Sequence, residues 1–391
     1  MSMPRKSTAM SLPGLLLIVL GAAPAVAATP GITDTEIVLG QSCALSGPAQ
    51  ELGKAMQTGL LACFDQVNSE GGIAGRRIRL VSKDDGYEPD RAIDNTRELI
   101  DEDRVFLLIG EVGTPTSAAV VPLAEQARVP FFGPFTGAEF LRHPFRKYVI
   151  NVRGSYYQEM EHLAAYLVDG LGLERIACFY QNDGYGQAGL AGIEQALARR
   201  EMALRARGTY ERNTTAVKGG LLRIRKDEPQ AVVMVGAYKP CAEFIRLARR
   251  ILSPDVVYCN ISFVGTEALR DELGDAGEGC IVSQVVNHPR DAQVPLVAEF
   301  NTAMERFHPD AHRGFVALEG FMVGQLFCRV LAGIEGEITR EKFIETVERV
   351  GVFDLGGVVL NYGPTDHQGM DRVFLTVITK QAVVPLDDPL P

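Results

Sequence analysis

Apolar runs of four to eight residues alternate along the chain with segments whose apolar positions recur every three to four residues. That alternation predicts strands of a parallel sheet covered on both faces by helices, an α/β fold. The strands are expected at 36–43, 77–82, 105–109, 129–132, 147–151, 174–180, 230–235, 256–260, 279–285, 357–361 and 372–378. Between the first two, Leu52, Met56, Leu60, Phe64 and Val67 mark one face of a helix that Gly71 and Gly72 close. A later helix over 314–334 is apolar on more than one face, through Phe315, Leu318, Phe321, Met322, Leu326 and Phe327, which suits burial between neighbours. There is no internal repeat and no Pro/Ser linker, so separate lobes would be joined by several strand-like crossings rather than by a tether.

The N-terminus follows a different pattern. Arg5 and Lys6 precede an apolar stretch, Leu12 to Ala23, and the small residues Ala25-Val26-Ala27, the layout of a cleavable export signal over 1–27. No Cys stands at a lipid-attachment position and no Arg-Arg pair precedes the stretch, so Sec export of a soluble protein into a periplasm is expected. Loss of Arg5 and Lys6 takes the formal charge from -10 to -12. An acidic chain without a basic stripe argues against nucleic acid or an anionic membrane as partner, and favours a free small molecule. About 363 residues remain after cleavage, more than one core normally supports, so two lobes are expected. The seven cysteines show neither a CxxC nor a metal spacing; if one pair is bridged, Cys259 and Cys280 are the candidates, both in strand-like runs.

In open α/β sheets, ligands bind beyond the carboxyl ends of strands, where helix N-termini present free N–H groups. Small or hydroxylated residues crowd four such junctions: Ser46-Gly47-Pro48; Gly113 to Ser117, where Thr114 can cap a helix or hold a carboxylate; Pro134-Phe135-Thr136; and Asp183 to Gly189. The last matches G-x-G-x-x-G at 184–189, with Glu211 at roughly the spacing of a ribose-binding acid. A dinucleotide fingerprint normally opens its domain, whereas this one begins some 150 residues into an exported chain, so no cofactor is expected. Neither GxSxG nor HExxH occurs, and Pro309 separates His308 from His312, so no catalytic residue and no metal ligand is assigned.

Five segments, LSGP, NSEGGIAGRRIRLVSKDDGYEPDRA, IGEVGTPTSAA, the ND-YG stretch and GAYKPCAEFIRLAR, stand in one order from Thr35 to about Val384. In that order the chain resembles the leucine/isoleucine/valine-binding family of type I periplasmic binding proteins. The resemblance implies two Rossmann-like lobes joined by three hinge crossings near 151–154, 284–289 and 356–361, with a ligand cleft between them. The lobes would be 28–151 with 289–356, and 154–284 with 361–391. It further implies a non-enzymatic, monomeric receptor that closes on a branched-chain or related amino acid and delivers it to an ABC permease in the inner membrane. A periplasmic sensor subunit would share every one of these features.

By the same resemblance, Thr114 and the backbone near Phe135 and Thr136 would meet the ligand carboxylate, while Tyr185 and Tyr238 close from the second lobe. Ser46 and Leu52 would contribute from the first junction. Two departures bear on the ligand. Where such receptors place an acid for the ligand ammonium, after the strand VVYCN, this chain has Ile261-Ser262-Phe263. Leu52 stands where many relatives carry an aromatic ring. An unpaired buried ammonium costs several kcal/mol, so either another acid such as Glu111 serves it, or the ligand is an aromatic or aliphatic carboxylate without an amine.

Overall fold

The computed structural model describes residues 1–4 and 29–386; residues 5–28, which carry most of the predicted export signal, and 387–391 lie outside that description. The first run of elements is β1 (Glu36–Cys43), α1 (Gln50–Ser69), β2 (Arg77–Asp84), α2 (Pro89–Asp101), β3 (Leu108–Ile109), α3 (Thr114–Gln126), β4 (Phe131–Phe132) and β5 (Val149–Ile150). The second is α4 (Tyr156–Ala164), β6 (Ile176–Gln181), α5 (Gly184–Ala198), β7 (Ala206–Tyr210), α6 (Lys218–Arg225), β8 (Ala231–Val235), α7 (Tyr238–Ala248), β9 (Val257–Asn260), α8 (Thr266–Leu273) and β10 (Ile281–Gln284). The third is α9 (Pro295–Phe307), α10 (Phe315–Ala332), α11 (Arg340–Val350), β11 (Val352–Asp354), β12 (Val359–Asn361), β13 (Phe374–Ile378) and β14 (Val383–Pro385).

Two sheets result. The first runs β2-β1-β3-β4-β5 with every pairing parallel. The second runs β14-β13-β10-β9-β8-β6-β7, parallel from β10 to β7 and antiparallel at β13 and β14. The chain passes between them after β5, after β10, and on the way from α11 to β13, so two lobes face each other across three crossings. Residues 352–361 form the small hairpin β11-β12. The stretch beyond it runs beside the first crossing, where Asn151 bridges Gln368 and the Tyr362 hydroxyl donates to the Asn151 carbonyl at 3.0 Å.

Every predicted strand is present, although several are shorter, because a run of apolar residues continues into the loops beyond the ladder. Three strands escape the sequence: β7 is ARGTY at a sheet edge, with no apolar run, and β11 and β14, three residues each, are too short to register as one. The apolar face predicted for α1 is buried from Leu52 to Phe64 and meets α10, which is sheathed on nearly all sides. By length and hydropathy α10 could cross a membrane, but 89% of it is buried inside the protein, which makes it a core helix. The two helices touch at glycines: a methyl group on Gly59 would overlap the Ala317 carbonyl, and one on Gly320 the Met56 carbonyl. All seven cysteines are free and buried, so Cys259 on β9 and Cys280, which immediately precedes β10, form no bridge.

Candidate ligand-binding site

The carboxyl ends of the two sheets face one another, and the junction residues converge there. Thr114 opens α3, whose N-terminus has no side-chain cap. Its hydroxyl lies 2.6 Å from that of Thr136 and 3.4 Å from the Tyr156 hydroxyl, which also accepts from Thr136 at 3.1 Å. Phe135, beside Thr136, stacks on Phe263 of the opposite lobe with ring centres 5.1 Å apart. Tyr185, at the start of α5, packs on Phe263 at 4.6 Å and on Tyr156 at 5.6 Å. Tyr87 adds a further ring against Phe263 at 6.1 Å. Thr114, Phe135, Thr136 and Tyr185 are thus gathered into one buried cluster between the lobes.

Leu52 and Tyr238 meet elsewhere in the same cleft. With Ala317, Gly265 and Glu267 they line an outer cavity of about 460 Å³, open to both lobes and within the range of small-molecule sites. Ser46 joins neither group. It is exposed, and its hydroxyl and backbone N–H donate to Asp84, which also accepts from the N–H groups of Leu45 and Gly86 and from Arg91. Although partial burial opposes it, this set of donors holds the Asp84 carboxyl well below the usual range. Ser46 therefore orders the turn before α1.

Two glycines of the 184–189 pattern serve packing, while Gly184 faces open space. A methyl on Gly186 would strike the Gln181 carbonyl, and one on Gly189 the Val235 side chain. The α5 N-terminus is capped by Asp183, which accepts from the N–H groups of Tyr185 and Gly186, so the chain's own carboxylate sits where a dinucleotide would place a phosphate.

Ser262 is where the structure departs most from the sequence reading. No carboxylate is near it in sequence, but Glu159 on α4 reaches it in space: Oε2 accepts from the Ser262 N–H at 2.8 Å and Oε1 from its hydroxyl at 3.0 Å. Ser283 donates to Oε2 at 2.6 Å, and Arg153 donates to Oε1 at 3.2 Å and also to the Ser262 hydroxyl. Arg153 rises from the first crossing and is fully buried. Its guanidinium lies 4.9 Å from the centre of Phe135 and 5.9 Å from that of Tyr156, within cation–π range. A second acid, Glu319 in the middle of α10, stands 3.6 Å from its Nη1. Burial works against the charge on Arg153, but Glu319 and Glu159 outweigh it. Burial pushes Glu319 up to about 7, with Arg153 opposing and Glu159 assisting.

Glu111 does not belong to this set. It is buried beside Asp85 and Cys43, neither carboxyl oxygen has a hydrogen-bond partner, and burial followed by Asp85 pushes it well above the carboxylate range. Asp85 is itself raised to about 6 by burial, against the hydrogen bonds from Tyr87 and Ser42.

Arg153, Glu159, Glu319, Tyr156 and Tyr87 were not singled out by the sequence. Two of them leave a trace in hindsight: Glu319 is a charge in the middle of an otherwise apolar helix, and Arg153 sits directly after a strand, where the chain crosses between lobes. Glu159 leaves none, because only the fold brings it to Ser262.

The lobes are held together outside the cluster as well. Arg212 of the second lobe pairs with Glu88 of the first at 2.8 Å, and Asn213 donates to Glu88 at 2.7 Å and to the Gly86 carbonyl at 3.1 Å. Glu267 on α8 accepts from the Phe315 N–H, capping α10 across the cleft.

Two facing α/β lobes with a polar and aromatic cluster between the carboxyl ends of their sheets define a binding-protein architecture. The sequence pattern of the Periplasmic binding protein family matches residues 36–382, and the chain belongs to that family. It is similar over 90% of its length to a crystal structure described as a possible leucine/isoleucine/valine-binding protein from Rhodopirellula baltica SH 1, at 39% identity, 96% coverage of that chain and a TM-score of 0.85. The Leu/Ile/Val-binding protein of Escherichia coli K12 is 21% identical over 283 residues, 70% of this chain and 73% of that one. A fatty acid ABC transporter substrate-binding protein from Thermomonospora curvata is 20% identical with a TM-score of 0.84, covering 92% of this chain and 94% of its own, and shares the fold.

Proposed function

We propose that this protein is the exported, periplasmic substrate-binding component of an ABC importer, which clasps a small carboxylate-bearing apolar ligand between its lobes and presents it to an inner-membrane permease. The observation that carries the reading is the convergence of Thr114, Phe135 and Thr136 from one lobe with Tyr185, Phe263 and Tyr238 from the other at facing carboxyl ends of two parallel sheets. Such a site recognises by contact on both sides, so ligand stabilises the closed form in proportion to its extra contacts there. The lobes are assigned as 28–151 with 289–356 and 154–284 with 361–391, acting as a monomer. No bond is made or broken: the buried acids face an arginine or one another, and no activated nucleophile stands beside a base in the cluster.

Leucine, isoleucine and valine are the ligands named for the Escherichia coli relative, whereas the Thermomonospora curvata protein is named for a fatty acid. The fold therefore carries both kinds of ligand, and the choice falls to the side chains. Calorimetric titration of the mature protein, stripped of ligand by partial unfolding and refolding, tests the proposal. Saturable one-to-one binding of an apolar carboxylate, amino acid or not, with small-angle scattering showing compaction, is expected. Absence of binding across both series would refute it.

A further inference from the structure

The charges in the inter-lobe cluster identify the ligand class more narrowly, on the reading of the cleft just given. An α-amino acid needs a free anion in the site for its ammonium, because an unpaired buried ammonium is costly. A carboxylate has about four lone-pair positions. Those of Glu159 are taken by Arg153, by the Ser262 hydroxyl and N–H, and by Ser283, so it has no acceptor left. Glu111 lies apart with Asp85 and Cys43. The charge that borders the Phe135 and Tyr156 rings is instead the Arg153 guanidinium, whose Nε and Nη1 are buried and have no hydrogen-bond partner. Glu319 faces the same guanidinium, but Nη1 comes no closer to it than 3.6 Å, beyond hydrogen-bonding distance, and burial disfavours its charge, so it neither occupies Nη1 nor stands as a fixed anion for an ammonium. The other polar features of the cluster point the same way: the uncapped N-terminus of α3 favours negative charge, and the Tyr185 hydroxyl is buried without a partner.

We infer that the physiological ligand is an apolar carboxylate without an α-ammonium, an aliphatic or aromatic acid or its 2-oxo form, and that Arg153 is the residue that excludes the amine. A guanidinium with two free nitrogens attracts a carboxylate or carbonyl oxygen and repels an ammonium, whereas the Arg153–Glu159 pair leaves Ser262 no role toward a cation. Phe135, Phe263 and Tyr185 supply the apolar and aromatic walls that a hydrocarbon chain or ring would replace as the lobes part.

The test uses matched pairs that differ only in the amine. Leucine is compared with 4-methylpentanoate and 4-methyl-2-oxopentanoate, and phenylalanine with 3-phenylpropanoate, each titrated calorimetrically into the stripped mature protein. The amine-free member of at least one pair should bind about 100-fold tighter than its amino acid, the discrimination expected when a buried charge is left unpaired. Binding of the amino acids with weaker binding of their partners overturns the inference while leaving the receptor reading in place, and would make Glu319 the ammonium acceptor. Equal binding of 3-phenylpropanamide and 3-phenylpropanoate overturns it too, since no anion would then be recognised. Binding of nothing in either series counts against the receptor reading beneath it. Arg153→Gln should lose the preference for the carboxylate over the amide; if that variant does not fold, the wild-type pairs decide alone.

Discussion

Glu319 offers a quantitative test of the charge arrangement between the lobes. Its carboxyl is nearly inaccessible and is raised from 4.5 to about 7, because burial and the neighbouring Glu159 disfavour its charge more than Arg153 favours it. A group whose folded-state value is raised keeps its proton in the native protein while giving it up in the unfolded chain. Its contribution is therefore fully present below about pH 4.5 and is lost as pH rises through about 7. A displacement of this size corresponds to roughly 3 kcal/mol. Urea unfolding at pH 4.5, 6 and 8 should show wild-type stability falling across this window, and Glu319→Gln, which keeps the shape without the titration, should remove about 3 kcal/mol of that fall. Asp85, raised to about 6, leaves a smaller slope of the same sign in both proteins. An anionic ligand beside Arg153 would raise Glu319 further, so binding should take up protons, measurable as a dependence of the calorimetric heat on the buffer's ionisation enthalpy. A parallel pH profile for wild type and Glu319→Gln would instead mean that Glu319 is ionised throughout as a full partner of Arg153.

Other consequences are open to direct measurement. Gly59→Ala forces α1 and α10 apart at their closest approach and should cost about 1–3 kcal/mol, seen as a lower melting temperature; an unchanged melt would show that the helices are not in contact there. Tyr185→Phe removes a buried hydroxyl that has no partner, so stability should hold or rise by up to about 1 kcal/mol while ligand affinity falls; lost stability would mean that the hydroxyl is bonded within the protein. Arg212→Ala breaks the pair with Glu88 and should raise the radius of gyration of the ligand-free protein in small-angle scattering, with folding intact, since this half-exposed pair contributes only about 1 kcal/mol. Tyr238→Ala should weaken ligand binding without unfolding the second lobe, and an unchanged titration would remove the outer cavity from the site.

The fold was legible because it rests on periodicity. Apolar runs of strand length, the α1 stripe and the all-round apolar α10 each follow from burial on a sheet or between helices, and each is found where the pattern places it. The strands that escaped, β7, β11 and β14, are short or at an edge, where pairing needs no apolar side chain. In the cleft, Thr114, Phe135, Thr136, Tyr185 and Tyr238 were legible because strand-to-helix junctions occupy the carboxyl ends of parallel sheets whatever the details. Ser46 met the same criterion and turned out to bind Asp84, since a hydroxyl at a junction reads alike whether it faces the cleft or a neighbouring turn. The charge set of Arg153, Glu159, Ser262, Ser283 and Glu319 was illegible as a set, because it is assembled from a crossing, two helices, the turn after β9 and the strand β10, which are far apart in the chain. Ser262 carries no charge of its own in the sequence, and only the fold shows that Glu159 and the Arg153 guanidinium stand beside it.

On the inference above, the cleft receives an apolar anion. A thermal-shift titration of the stripped mature protein, with leucine beside 4-methylpentanoate and phenylalanine beside 3-phenylpropanoate, tests this, because ligand at 100 times its dissociation constant stabilises by about 2.7 kcal/mol. A rise of several degrees with the amine-free member of at least one pair and none with its amino acid is the predicted result. A rise with leucine alone would contradict the account and place the ammonium on Glu319.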